Sequence, residues 1–179
     1  AEGMRFNRGF TKPVCSPSRA MLLTGLHSHR VGIPDYIPYG NPGYPDIGLP
    51  AGTPTIASVL KSFGYATGLV GKWHLGYGEK YRPENFGFDY AEGYRFVAPG
   101  APRVRMEEIP FRLDGKLVPG FRYDPQHTDI IADRAIDFIR KNEDTPFLLY
   151  LSLYLPHRPW EAVPDEDRAH YKGVSLTVP

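Results

Sequence analysis

The chain has 179 residues, the size of one ordinary domain, and its 41% hydrophobic and 23% charged content is that of a globular protein and excludes a disordered one. A formal net charge of +1 without a basic stripe excludes the electrostatic footprint of a nucleic-acid binder. No apolar run approaches the roughly 20 residues of a membrane helix, and no tripartite secretory signal opens the chain.

Nineteen prolines and nineteen glycines, with twelve tyrosines and ten phenylalanines, predict many rigid aromatic loops rather than a helical bundle. The opening Ala1-Glu2-Gly3-Met4-Arg5-Phe6 reads as a helix tail passing into a strand, and Val174 to Pro179 has no terminal element. Both ends look cut, as in a fragment of a longer protein. Ser16 as a cap, Pro17 at the first helical position and Gly25 as a stop predict a short helix just after Cys15. His27 to Gly52 shows no sustained apolar period and reads as a long surface excursion.

Thr53-Pro54 opens a second helix with Ile56, Val59, Leu60 and Phe63 on one apolar face and Gly64 as its stop. Tyr65 to Val70 follows as a short buried strand that runs into Gly71-Lys72-Trp73-His74-Leu75-Gly76. Signals weaken from Tyr77 to Tyr123, where Gly87-Phe88-Asp89 reads as a turn and Leu113-Asp114-Gly115-Lys116-Leu117 as a hairpin. A third helix spans about Thr128 to Asn142 with Ile131, Ala135, Phe138 and Ile139 inward. Pro146 to Leu153 is a nearly continuous apolar strand, expected to be covered on both faces, and it ends in Tyr154-Leu155-Pro156-His157-Arg158-Pro159. The helix-then-strand order places the chain in the α/β class with a largely parallel sheet.

In such sheets ligands bind beyond the carboxyl ends of the strands. Two strands each deliver a histidine there, His74 with Lys72 and His157 with Arg158, so the edge is cationic and suits an anion. Cys15, the only cysteine, precedes a proline-initiated helix, where free N–H groups lower a thiol's pKa and attract negative groups; Arg19 lies one turn on. Local physics leaves two readings open, an activated thiol and a cysteine packed beneath a helix cap.

Cys15-Ser16-Pro17-Ser18-Arg19 followed by Leu22-Leu23-Thr24-Gly25 resembles the signature of the sulfatase family. Gly71 to Gly76 resembles the family's second signature, and Pro156-His157-Arg158-Pro159 resembles a third, with Leu155 in place of the usual alanine. The resemblance implies an alkaline-phosphatase-like three-layer sandwich, incomplete here, with residues 1–179 forming part of an N-terminal catalytic domain. It implies that Cys15 is converted to formylglycine by a maturation enzyme, and that the protein hydrolyses aryl or carbohydrate sulfate esters. In that scheme one hydroxyl of the aldehyde hydrate attacks sulfur, and His74 deprotonates the other to eliminate sulfate. Arg19 would hold the hydrate, Lys72 would neutralise sulfate oxygens, and His157 would bind sulfate or protonate the leaving oxygen. A divalent metal, calcium or else magnesium, would include Cys15, as formylglycine, among its ligands. The family's other ligands, an Asp-Asp pair upstream and an Asp-Asn pair downstream, have no counterpart in this sequence, so the chain alone is expected to be inactive and to bind metal poorly. The resemblance also implies export or lysosomal delivery.

Other features read as structural. His27 and His29 fit a solvated turn, Arg103 to Glu108 a self-neutralising surface strip, and Tyr36, Tyr39 and Tyr44 either loop packing or a sugar or aryl pocket. The loops at 35–52 and 91–124 are the expected determinants of substrate. A phosphonate or phosphate ester hydrolase with the same nucleophile, and a non-catalytic binding protein on the same fold, are the competing functions.

Overall fold

The computed structural model describes residues 3–38, 47–97, 110–118, 125–157 and 164–174. Its organising element is a three-stranded parallel sheet of β1 (Ala66–Gly71), β2 (Tyr90–Glu92) and β6 (Phe147–Ser152), in the order β2-β1-β6. Alternation along β1 sorts side chains onto two faces. Leu69 packs with Ala20, Leu23 and Ala57, residues of the helices α1 (Cys15–Thr24) and α2 (Ile56–Ser62). Val70 packs on the other face with Ile131 and Ala135 of α3 (Pro125–Lys141). Helices therefore cover the sheet on both sides, which is the three-layer α/β arrangement expected.

The helix ends differ from the sequence reading in an informative way. α1 begins at Cys15 with Val14 as its cap residue, and Gly25 closes it in the left-handed region at φ 68°. Ser16 is not the cap but is fully buried in the first turn. α2 is capped by Thr55, whose hydroxyl accepts from the Ser58 amide at 3.1 Å while Ser58 Oγ accepts from the Thr55 amide at 2.9 Å. In α3, Ile131, Ala135 and Phe138 are buried as expected, whereas Ile139 is exposed.

The predicted hairpin forms. β4 (Phe111–Leu113) and β5 (Lys116–Val118) pair antiparallel across Asp114-Gly115, both at positive φ (50° and 70°), which is the combination a two-residue primed turn needs. β3 (Tyr94–Arg95) joins them in a second sheet, β3-β4-β5. Gly93, at φ 73°, separates β2 from β3, and a Cβ there would collide with Ile131.

Four further expectations need correction. Residues 3–14 contain neither helix nor strand, and Met4, Phe6 and Phe10 are largely exposed. The described part of the stretch after His27 is not wholly a surface excursion: Val31, Ile33, Ile37 and Leu49 are buried, and only Val31 lies in a helical turn, Ser28–Val31, so no period marks them. The apolar face assigned to α2 is open, with Ile56 and Val59 each 47% and Phe63 74% exposed, and it is Ala57 that packs inward. β6 is the edge of its sheet and only half covered, with Phe147, Leu151 and Leu153 exposed. A short helix, α4 (Asp165–His170), has no buried residue. Tyr39, Tyr44, the Arg103 to Glu108 strip, Arg158 and residues 175–179 lie outside the described residues.

Candidate active site

Cys15 occupies the first turn of α1, where backbone N–H groups lack helical partners and the helix dipole favours negative charge. Ser18 secures this end, its hydroxyl donating to the carbonyls of Lys12 and Val14, each at 2.8 Å. Arg19, one turn on, points its Nη1 away from the helix to the Lys72 carbonyl (2.8 Å), the Tyr150 hydroxyl (3.1 Å) and the Ser152 hydroxyl. It thereby ties α1 to the carboxyl ends of β1 and β6, so the helix start and the strand ends share one edge.

The hexapeptide 71–76 leaves β1 by two glycine-dependent bends. Gly71 sits at φ 106° and Gly76 at φ 122°; a Cβ on the first would run into the Ser152 carbonyl oxygen and on the second into the Tyr81 ring. Gly71→Ala should destabilise the protein by about 2 kcal/mol or more, since both conformation and space are wrong, as read from the urea midpoint of the full-length protein. Trp73 anchors the segment. It is buried, donates Nε1–H to the Tyr81 carbonyl at 2.7 Å and packs on Phe86 and Phe88. Lys72 and His74 flank it, and His74 takes the unusual φ of 61° for a non-glycine residue.

His74 faces two partners: Nδ1 lies 3.0 Å from Cys15 Sγ, and Nε2 lies 3.1 Å from the Ile37 carbonyl. Burial, with the charge of Lys72 beside it, pushes its pKa down to about 3, so the ring is neutral at physiological pH. Burial also lowers the pKa of Lys72, opposed by its interaction with Cys15. The linkage follows directly. A histidine held neutral in the fold but protonated in the unfolded chain contributes stability that is complete above the ordinary pKa of 6.5 and declines toward pH 3. Urea titrations of the full-length protein should show a loss of up to ~1.4 kcal/mol per pH unit below that point, flattened by His74→Gln.

His157 follows a cis Leu155-Pro156 bond, is exposed, and donates its N–H to the Tyr154 carbonyl at 3.0 Å. It lines one pocket with Lys72, His74, Tyr77, Arg95 and Tyr154. The five residues singled out from sequence thus fall at one sheet edge, with Cys15, Lys72, His74 and Arg19 in a connected cluster and His157 across the pocket. His27 and His29 are exposed and stand apart from it.

Arg95 is the residue the sequence reading passed over. It is 8% exposed, with its guanidinium 5.3 Å from the Phe111 ring and 5.6 Å from the Tyr154 ring. An arginine between aromatics in Tyr94-Arg95-Phe96 was the available signal, since buried arginine is rare unless it is held for a purpose. Among the described residues the pocket's lining carries two cations, Lys72 and Arg95, and no carboxylate, and Arg19 meets the Lys72 carbonyl, so the lining suits an anion. The described residues do not fit a divalent metal by themselves: no group of three or more His, Cys, Asp or Glu gathers among them, and hard cations need several oxygen donors.

This architecture, a parallel sheet between helix layers with its site at the strand ends, is alkaline-phosphatase-like. The chain belongs to the sulfatase family, whose model matches residues 1–176. Among curated relatives it is 32% identical to arylsulfatase G of Mus musculus over 98% of this chain and 38% of that protein. It is 33% identical to N-acetylgalactosamine-6-sulfatase of Sus scrofa over 89% of this chain and 34% of that protein. A solved structure of Ps i-CgsB in complex with k-i-k-neocarrahexaose superposes with a TM-score of 0.74 at 29% identity, covering 92% of this chain and 39% of the other. BT4656 in complex with its substrate D-Glucosamine-2-N, 6-O-disulfate superposes at 0.68 with 27% identity, covering 99% of this chain and 32% of the other. The chain therefore spans about a third of the length of these proteins.

Proposed function

We propose that this chain carries the nucleophile of a sulfuric ester hydrolase, as part of its catalytic domain. One observation carries the reading: Cys15 Sγ, at a helix start, lies 3.0 Å from His74 Nδ1 and interacts with Lys72. Sγ marks where the reacting oxygens of a formylglycine hydrate would stand.

A maturation enzyme oxidises the thiol carbon of Cys15 to an aldehyde, with an external oxidant taking the electrons and sulfur lost, and water adds to form the hydrate. One hydroxyl oxygen attacks the ester sulfur, its own proton passing to solvent water, and the bond from sulfur to the alcohol oxygen breaks as His157 supplies a proton to that oxygen. Lys72 balances the charge on the sulfate oxygens. The second hydroxyl then gives its proton to His74 Nδ1, the carbonyl re-forms, and the carbon–oxygen bond to sulfate breaks, releasing sulfate. Arg19, through the Lys72 carbonyl, Tyr150 and Ser152, holds the helix start against the strand ends while this happens.

A divalent cation, calcium before magnesium, would supply electrostatic stabilisation of the sulfate group when bound, with position 15 among its ligands. The substrate is an aryl or glycan sulfate, a class supported by the names of the relatives. Export or lysosomal delivery is the matching localisation. Full-length protein should hydrolyse an aryl sulfate faster than the corresponding aryl phosphonate; the reverse order would make it a phosphonate hydrolase, and no turnover of either, with the aldehyde present, would make it a binding protein.

A further inference from the structure

The hydrogen bonds around His74 close a ring through four residues. Ser16, adjacent in sequence to Cys15, is fully buried, and its hydroxyl oxygen accepts the Ile37 amide at 3.0 Å. The same Ile37 offers its carbonyl to His74 Nε2 at 3.1 Å, and His74 Nδ1 returns to Cys15 Sγ at 3.0 Å. A carbonyl oxygen only accepts, so Nε2 carries the ring proton and Nδ1 turns its lone pair to position 15. We propose that Ser16 is a positioning residue which, through the Ile37 peptide, fixes the His74 tautomer and aims the bare Nδ1 at the group on residue 15.

The geometry makes Ile37 a rigid relay. Its side chain is 4% exposed within the main core, and both of its backbone polar groups are engaged, one by the nucleophile helix and one by the base. The base is thereby referenced to the helix that bears the nucleophile as well as to the segment that follows β1. Without the Ser16 hydroxyl the buried Ile37 amide loses its acceptor, the peptide is free to turn, and the Nε2–H anchor is lost with it. The imidazole can then present a protonated nitrogen to residue 15, which cannot accept the hydroxyl proton that drives carbonyl re-formation and sulfate release.

The catalytic consequence rests on the proposed sulfatase reaction, whereas the tautomer does not, and the two are tested separately. In full-length protein labelled with 15N-histidine, His74 should show the Nε2–H neutral tautomer, and Ser16→Ala should convert it to a mixture. An Nδ1–H tautomer in the wild type, or an unchanged spectrum in Ser16→Ala, overturns the proposal. On an aryl sulfate, Ser16→Ala with its aldehyde content verified by mass should lose about 10- to 100-fold in kcat with KM nearly unchanged, and sulfated enzyme should accumulate. Ser16→Thr, which keeps the hydroxyl, should restore both readouts. Equal losses in the Ala and Thr variants would reduce Ser16 to packing and overturn its role. A wild-type enzyme with the expected tautomer but no sulfate ester turnover would instead remove the sulfatase reading and leave the lock in place.

Discussion

Cys15→Ser in the full-length protein is expected to release close to one equivalent of alcohol from an aryl sulfate and then stop. A serine at the start of α1 still presents one oxygen beside His74 and Lys72, so attack on sulfur remains available, although slower without the hydrate. What it lacks is a second hydroxyl on the same carbon. No carbonyl can form, the sulfated serine persists, and steady-state turnover should fall by at least about 10⁴-fold while a stoichiometric covalent adduct appears by mass. Continued turnover at more than a few per cent of the wild-type rate would mean that the second hydroxyl is dispensable.

Lys72→Ala should have the next largest effect. Lys72 is partly buried in a pocket whose described lining holds no carboxylate, and charge placed there acts in a low-dielectric setting. Its removal should lower kcat/KM by about 10³-fold, close to 4 kcal/mol of transition-state stabilisation. Arginine should rescue poorly, because the site was shaped around a compact ammonium and Arg19 and Arg95 already crowd it with charge. Because burial lowers the Lys72 pKa, activity should decline with rising pH before the range in which an exposed lysine titrates. Initial rates across a pH series for wild type and Lys72→Ala check both statements.

Much of this site was readable in the sequence because its parts are punctuated by residues with narrow conformational uses. Gly71 and Gly76 bracket Lys72 and His74 because the chain must bend where no Cβ fits, and Asp114-Gly115 marks a hairpin because its turn needs positive φ at both residues. The inward face of α3 was legible at Ile131, Ala135 and Phe138 because one helix buries one continuous stripe. What stayed hidden depended on partners far along the chain. Ser16 resembles a helix cap in sequence, yet its acceptor role exists only once Ile37 arrives beside it. Ile37 contributes through its backbone, which no side-chain pattern reports. Periodicity identified the apolar face of α2, but not whether anything in this chain covers it; Ile56, Val59 and Phe63 remain exposed. Arg95 lies in a two-residue strand whose pairing with β4 is set by Phe111, sixteen positions later.

The chain's length relative to its relatives bears on every activity assay. It spans 38% of the mouse arylsulfatase G it resembles, and no group of three or more metal-ligating side chains gathers among its described residues. The variants above therefore belong in the full-length protein, with the metal content measured alongside the rate.

We propose that position 15 works as an aldehyde rather than a thiol. Peptide mass spectrometry across Cys15 to Arg19, on full-length protein from a host that contains the maturation enzyme, tests it most directly. The expected result is loss of the thiol sulfur and a carbonyl that reacts with a hydrazine reagent; an intact, alkylatable cysteine in protein that nonetheless turns over an aryl sulfate would rule out the aldehyde.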